Sequence, residues 1–171
     1  EIELRNMLYT ATTTPSPYAI RYPRGCGIGM KWQDSDFKHI PAGKGRKLKD
    51  GKDLAIISIG TVGNFATDAI RDIEALNKHT IAHYDLRFAK PLDEELLEEI
   101  CTTFDKVITI EDGILRGGVG EAVTKFLYEH NFLGKVVSLG IEDKFIEHGS
   151  PAELYAICGY DVEGIKRTIN H

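Results

Sequence analysis

Residues 81–93, IAHYDLRFAKPLD, constrain the fold most, because an apolar strand runs there directly into a charged turn that ends at a proline. A second junction of this kind follows at residues 107–120, VITIEDGILRGGVG. Strands that are apolar on both faces are typical of parallel sheets covered by helices. Open sheets of this class carry their ligand groups at strand ends. The two junctions therefore predict an α/β protein with polar groups at the ends of its strands.

The order of elements sharpens this prediction. Apolar strands alternate with helices of period 3.6, which is typical of a parallel sheet with right-handed crossovers. We predict a three-layer α/β/α domain with a mostly parallel five-stranded sheet, whose segments are strands 44–48, 54–60, 80–88, 107–110 and 136–139 and helices 64–76, 93–101, 118–130, 151–158 and 161–170. The Asp-Gly pair in KDGKD predicts a hairpin between the first two strands, which makes the first strand antiparallel.

The chain ahead of this domain has a different character. Residues 2–11 have helical spacing of apolar side chains, and residues 18–22 form a predicted strand that Pro23 ends. One helix and one strand cannot bury a core, so we expect residues 1–25 to end a preceding domain. Residues 26–42 are a predicted linker, and residues 43–171 the following domain. Because the chain starts at Glu1, we expect it to be a piece or a processed product of a longer protein.

Charge is unevenly distributed along the chain. Residues 1–50 hold nine Lys and Arg against five Asp and Glu, while the whole chain has a net charge of −5. This asymmetry predicts that any anion-binding function lies in the first fifty residues. No basic stripe interleaved with aromatics is present, and no apolar run reaches about 18 residues, so neither a nucleic-acid partner nor a membrane span is expected.

The three cysteines indicate a reducing compartment. Cys26, Cys101 and Cys158 are widely spaced and form no CxxC pair, so neither a zinc site nor a disulfide framework is predicted. Cys101 and Cys158 lie in apolar helical patterns, and we expect both thiols to be buried. A cytoplasmic protein is the natural interpretation.

Arg24, in the sequence RYPRG, is the strongest candidate for ligand binding. It follows a strand and a proline and precedes the flexible Gly25. An arginine at such a position can present a planar fork of donors to a phosphate, although the residues alone favour a solvated or ion-paired arginine. Arg21 is a weaker candidate for the same role, and a structural ion pair is the alternative for it.

Other polar residues collect at strand ends. Asp85, Arg87 and Lys90 follow a buried strand, where they bind a ligand, pair with each other or cap the neighbouring helix; we favour the structural roles. His148 is either a proton-transfer group or a turn residue. Two acidic clusters give no guarantee of the convergence that a metal site needs, so no metal is predicted from them: Glu111, Asp112, Glu142, Asp143 and Glu147.

A glycine-rich turn precedes the predicted helix 118–130. Gly117, Gly118 and Gly120 would allow a phosphate to approach the helix amino terminus. The turn lacks the G-x-G-x-x-G spacing of dinucleotide-binding sites, however. Close packing of the helix on the sheet is the interpretation that we favour.

Four motifs in order, RYPRG, DLRFAKPLD, IEDGILRGGVGEAV and GIEDKFIEHGS, resemble the carboxy-terminal part of the 1-deoxy-D-xylulose-5-phosphate synthases. These are relatives of transketolase that use thiamine diphosphate and Mg²⁺. The resemblance implies a transketolase-like C-terminal domain, preceded by a short remnant of the pyrimidine-binding domain. It also implies a cytoplasmic homodimer that condenses pyruvate with glyceraldehyde 3-phosphate, losing CO₂, in the synthesis of isoprenoid, thiamine and pyridoxal precursors.

The resemblance assigns few roles within this chain. Arg24 occupies the position of the arginine that holds the acceptor phosphate in that family. The family's GDG motif for the cofactor is absent, and its activating glutamate would lie upstream of Glu1. We therefore expect no catalytic, cofactor-binding or metal-binding residue here, and no activity from the chain alone. Asp85, Arg87 and His148 would suit a subunit interface.

Two alternatives remain open from the residues. The first is another thiamine enzyme with the same C-terminal fold, such as transketolase or the β subunit of a 2-oxo acid dehydrogenase. The second is a non-catalytic module for dimerisation or anion binding.

Overall fold

The computed structural model describes residues 1–23, 25, 27, 29, 31–76 and 79–171. Five strands lie in this part of the chain: β1 (Arg46–Lys49), β2 (Leu54–Ile59), β3 (Ile81–Asp85), β4 (Lys106–Ile114) and β5 (Lys135–Ile141). The α-helices are α1 (Ile2–Thr13), α2 (Gly63–Ala75), α3 (Glu94–Thr103), α4 (Val119–Glu129), α5 (Pro151–Cys158) and α6 (Val162–Asn170). Within the described residues, one 3₁₀ turn spans Trp32–Asp34. None of the described helices is both long and apolar enough to span a membrane.

The strands form one mixed sheet in the order β1-β3-β2-β4-β5. The last four are parallel, and β1 pairs antiparallel with β3. Alternate residues of β2 lie in two hydrophobic cores, one on each face of the sheet. Ile56 packs with residues of α2 and α6 on one face, and Ala55 and Ile57 pack with residues of α3 and α4 on the other. The predicted fold class, a mostly parallel five-stranded sheet between two helical layers, is confirmed.

The first strand is antiparallel as expected, but the predicted hairpin between β1 and β2 is wrong, because β1 pairs with β3. The connection from β1 to β2 passes the start of β3, where the backbone N–H groups of Lys52 and Asp53 both donate to the Thr80 carbonyl at 3.0 Å. Gly51 makes this crossing possible: a Cβ there would lie 2.1 Å from the backbone N of Ala82. The Asp-Gly pair therefore serves a crossing over β3.

The chain ahead of β1 also differs from the prediction. Residues 18–22 form no strand in the structure, whereas α1 is present and extends to Thr13. This helix buries Asn6 and Thr10, while Leu8 is half exposed. The Asn6 Oδ1 accepts from the Lys38 N–H at 3.1 Å, and the Thr10 Oγ1 accepts from the Ile40 N–H at 2.8 Å. Polar contacts thus hold residues 38–40 beside α1, where the prediction had an apolar helix face.

Three burial predictions need correction. Helical spacing in the predicted helix 64–76 places Leu76 on the apolar face that would be buried, but this residue is 61% exposed because α2 ends at Ala75. Cys101 and Cys158, which lie in the last turns of α3 and α5, are only half-buried.

Candidate functional site at the carboxyl edge of the sheet

Two of the predicted strand-end residues belong to a cluster of four charged side chains, Glu3, Arg46, Asp85 and Arg87, which we call the ion cluster. Arg46 in β1 lies directly opposite Asp85 at the end of β3. Its Nη2 lies 2.9 Å from Asp85 Oδ2, and its Nε donates to the same oxygen at 3.1 Å. On its other side, Arg46 Nη1 lies 2.8 Å from Glu3 Oε2 in α1. Arg46 therefore bridges the sheet and the first helix.

Arg87 completes the ion cluster from a left-handed backbone conformation, with φ of 58°. Its N–H donates to Asp85 Oδ1 at 3.1 Å, and this turn directs the side chain toward α1. There Arg87 Nε lies 2.7 Å from Glu3 Oε1 in an ion pair that is not aligned as a hydrogen bond. The hypothesis that Asp85 and Arg87 pair with each other is thus wrong for their side chains, whose ionic partners are Arg46 and Glu3. Capping is wrong too, because Asp93 caps α3.

A second contact joins the first part of the chain to the end of β4. Arg21 Nη2 donates to the Asp112 carbonyl oxygen at 2.5 Å. The Asp112 carboxylate in turn accepts from the buried Tyr160 hydroxyl at 3.0 Å, and burial together with this hydrogen bond raises the pKa of Tyr160. Arg21 therefore lies at the same edge of the sheet as the ion cluster. The structure does not describe Arg24, so its predicted role lies outside the described residues.

The glycine-rich turn before α4 already holds a carboxylate. Glu111, buried in β4, accepts from the Val119 N–H at 3.1 Å and the Gly120 N–H at 2.7 Å. A Cβ at Gly118 would lie 2.6 Å from Glu111 Oε1. A negative group is favourable at a helix amino terminus, and here the protein supplies its own. This geometry supports the packing interpretation of the glycines.

His83 was missed at the level of the sequence. It is buried in β3, with Nε2 2.9 Å from Ser58 Oγ and Nδ1 3.5 Å from Thr67 Oγ1. Burial lowers the pKa of His83 to about 4, against the opposing effect of Asp85 and with a further lowering by Arg46. The available signal was a histidine inside an otherwise apolar strand. The imidazole is neutral at pH 7 and closes a polar cluster beneath α2.

His83 should make folding stability depend on pH. The folded protein holds His83 neutral down to about pH 4, whereas the unfolded chain protonates it near 6.5. Its stabilising contribution is therefore complete above pH 6.5 and is lost as the pH falls toward 4. Between pH 7.5 and pH 5, we expect the unfolding free energy to fall by about 2 kcal/mol more in the natural protein than in His83→Gln, as measured by urea titration. Equal falls in both proteins would contradict this.

The remaining strand-end residues do not converge. His148 and Lys90 are exposed, Glu142 pairs with Lys144 at 2.6 Å, and Asp143 lies 3.6 Å from Arg116. Within the described ranges, no three His, Cys, Asp or Glu side chains are arranged to hold a metal ion.

The structure gives the charge asymmetry a structural cause. The basic residues at and just before β1 pair with acidic residues later in the same domain: Lys44 with Asp93 and Glu95, Arg46 with Asp85, Lys47 with Glu99, and Lys49 with Glu74. Positive charge on an edge strand also discourages pairing with other chains. Four of the nine basic residues in the first fifty are therefore matched within the chain and do not indicate a ligand.

Comparison with known proteins gives consistent matches. The family described as "Transketolase, C-terminal domain" matches residues 43–165. The chain is 50% identical over 170 residues to the 1-deoxy-D-xylulose-5-phosphate synthase of Bacteroides thetaiotaomicron, covering 99% of this chain and 26% of that protein. It is 42% identical over 171 residues to the synthase of Vibrio vulnificus, with 100% and 26% covered. The chain thus spans about a quarter of the length of these relatives.

Solved structures show the same architecture. A chain titled "Split gene transketolase, inactive beta4 tetramer" superposes with a TM-score of 0.72 and 30% identity, over 78% of this chain and 43% of that one. The transketolase of Campylobacter jejuni superposes with a TM-score of 0.56 over 75% of this chain and 18% of its own. At 14% identity, this second likeness concerns the fold alone.

Proposed function

The chain belongs to the transketolase C-terminal domain family, and from that premise we propose that it is the C-terminal part of a 1-deoxy-D-xylulose-5-phosphate synthase. The observation that carries the proposal is the 50% identity to such a synthase over 170 residues, which includes the part ahead of the family domain. We propose residues 1–25 as the end of the pyrimidine-binding domain, residues 26–42 as a linker, and residues 43–171 as the C-terminal domain.

The proposed whole protein condenses pyruvate with glyceraldehyde 3-phosphate and releases CO₂ in the cytoplasm. Bound thiamine diphosphate, with Mg²⁺, would supply the carbanion chemistry. The residues of this chain do not fit that cofactor, because the sequence has no GDG motif and the strand-end carboxylates Glu111 and Asp85 are engaged in a helix cap and an ion pair. We therefore assign the cofactor site to upstream residues and expect the chain alone to be inactive.

The proposed contribution of this chain to the reaction is an acceptor contact. Arg24 follows Arg21, which is anchored to the end of β4. The Arg24 guanidinium would bind the phosphate of glyceraldehyde 3-phosphate, using binding energy remote from the reacting carbon to position the aldehyde. Arg21 is the weaker candidate for this contact, since its guanidinium already donates to a backbone carbonyl.

The second proposed contribution is assembly of a homodimer. At the β5 edge of the sheet, α5 buries no residue completely, Ile157 is 65% exposed, and Phe145 is fully exposed. We propose that the partner subunit covers these apolar side chains, because exposed apolar patches are typical of protein interfaces. Asp85 and Arg87 contact partners within the chain, so the apolar region supports the interface better than they do; His148 is exposed and remains a candidate.

Substrate comparison on the full-length protein tests the reaction. With thiamine diphosphate and Mg²⁺, we expect a phosphorylated five-carbon deoxyketose from pyruvate and glyceraldehyde 3-phosphate, detected by mass spectrometry. Turnover of a ketose phosphate with an aldose phosphate, and none of pyruvate, would assign the protein to transketolase, which the structural likeness keeps as the alternative. Oxidative transfer of an acyl group from a 2-oxo acid would indicate a dehydrogenase subunit.

A further inference from the structure

Two tethers fasten the first part of the chain to the carboxyl edge of the sheet. Glu3 is held by Arg87 and Arg46, at the end of β3 and in β1. Arg21 is held by the Asp112 carbonyl in β4. The tethers bracket residues 3–21, and Arg24 follows three residues later. The position of that segment relative to the sheet therefore depends on both contacts.

The ion cluster is better shielded than an ordinary surface ion pair. The side chain of Arg87 is 17% exposed and that of Glu3 is 26% exposed. The two facing atoms, Arg87 Nε and Glu3 Oε1, are both inaccessible to solvent. Shielded pairs are weakened little by salt, and removing one partner leaves the other charge desolvated and uncompensated. Release of α1 would leave Arg46 with Asp85 but would remove the carboxylate that faces Arg87.

The cluster is not itself an anion site. Its two guanidinium groups are matched by two carboxylates, and Asp85 also accepts from the Arg87 N–H. The left-handed backbone conformation of Arg87 is uncommon for a residue other than glycine, and it directs the guanidinium toward α1. Charge balance and direction both point to a contact between segments.

We propose that Arg87, Asp85 and Glu3 are positioning residues that hold residues 3–21, the segment that leads to Arg24, against the sheet, acting through α1 and touching no ligand. This rests on the proposed function of Arg24. The fraction of molecules with the segment in place then sets the apparent affinity for the phosphorylated acceptor. The ion cluster thus contributes to acceptor binding by orienting the segment that leads to Arg24.

Hydrogen exchange of the full-length protein tests the contact without any substrate. In Arg87→Gly, which removes the side chain and suits the left-handed backbone, we expect protection of the α1 amides to fall about 10- to 100-fold. Protection of β2 and β4 should not change. Arg71→Ala removes an exposed guanidinium paired with Asp68 on α2 and serves as the matched control. Unchanged α1 protection in Arg87→Gly would overturn the proposal.

Coupling between the partners distinguishes a shared contact from general destabilisation. As a single change, Glu3→Gln should lower α1 protection at least as much as Arg87→Gly, because Glu3 pairs with both Arg87 and Arg46. The double variant should be no worse than Glu3→Gln within about twofold, since Arg87 reaches α1 through Glu3. Multiplying effects would overturn the pairing.

Kinetics then test the link to the site. Arg87→Gly should raise the KM for glyceraldehyde 3-phosphate about tenfold, as if a tenth of the molecules were competent, and leave the KM for pyruvate unchanged. Loss of α1 protection with an unchanged acceptor KM would overturn the positioning role. If the natural protein itself showed no preference for a phosphorylated acceptor, the proposed function would fail. The hydrogen-exchange result would still decide whether Arg87 holds α1 against the sheet.

Discussion

Arg24→Ala in the full-length protein is expected to lower kcat/KM for glyceraldehyde 3-phosphate about 10- to 100-fold, because a charge-assisted contact to the phosphate contributes roughly 1.5–3 kcal/mol. Pyruvate carries no phosphate, so its KM should barely change. Steady-state kinetics with each substrate varied in turn measure both effects.

A phosphate-free acceptor provides the control for this prediction. If Arg24 binds the phosphate, the Ala variant should be no worse than the natural protein with glyceraldehyde, since neither makes the contact. Arg24→Lys should retain part of the effect, as an ammonium keeps the charge without the planar fork. Equal losses for pyruvate and for both acceptors would show that Arg24 has a structural role.

Gly51→Ala is expected to lower the unfolding free energy by about 3 kcal/mol, at the upper end of the usual range for overpacking. The added Cβ would lie 2.1 Å from the backbone of both Ile81 and Ala82, and rigid backbone cannot move aside as a side chain can. Either β1 leaves the sheet edge or the crossing over β3 loosens. Urea unfolding followed by circular dichroism measures the loss.

Lys52→Ala is the matched control for this change, since the side chain is exposed in the same connection. We expect it to stay within about 0.5 kcal/mol of the natural protein. A Gly51→Ala protein as stable as this control would mean that the connection between β1 and β2 follows another route.

Much of the fold follows from local pattern. Continuous apolar strands and helical spacing gave the four parallel strands and the helices between them, within a few residues of their observed ends. The partner of β1 could not be predicted in this way, because a four-residue connection serves both a hairpin and a crossing. Contacts of Gly51, Lys52 and Asp53 with the start of β3 decide between them, and these are distant in sequence.

The site was less predictable, for a related reason. The sequence placed Asp85 and Arg87 at a strand end, but their ionic partners are Arg46 and Glu3, at least 39 residues away. Excess positive charge near residue 50 was interpreted as an anion-binding signal, whereas the edge strand β1 uses it within the chain. His83 carried no motif, and only its burial beside Ser58 gives it meaning.

The most direct measurement of the central claim is CO₂ release from pyruvate by the full-length protein and by this 171-residue chain, side by side, with thiamine diphosphate and Mg²⁺. We predict that only the full-length protein releases CO₂ and that glyceraldehyde 3-phosphate increases its rate. Release by the 171-residue chain, or full-length turnover that ignores this acceptor, would contradict the account.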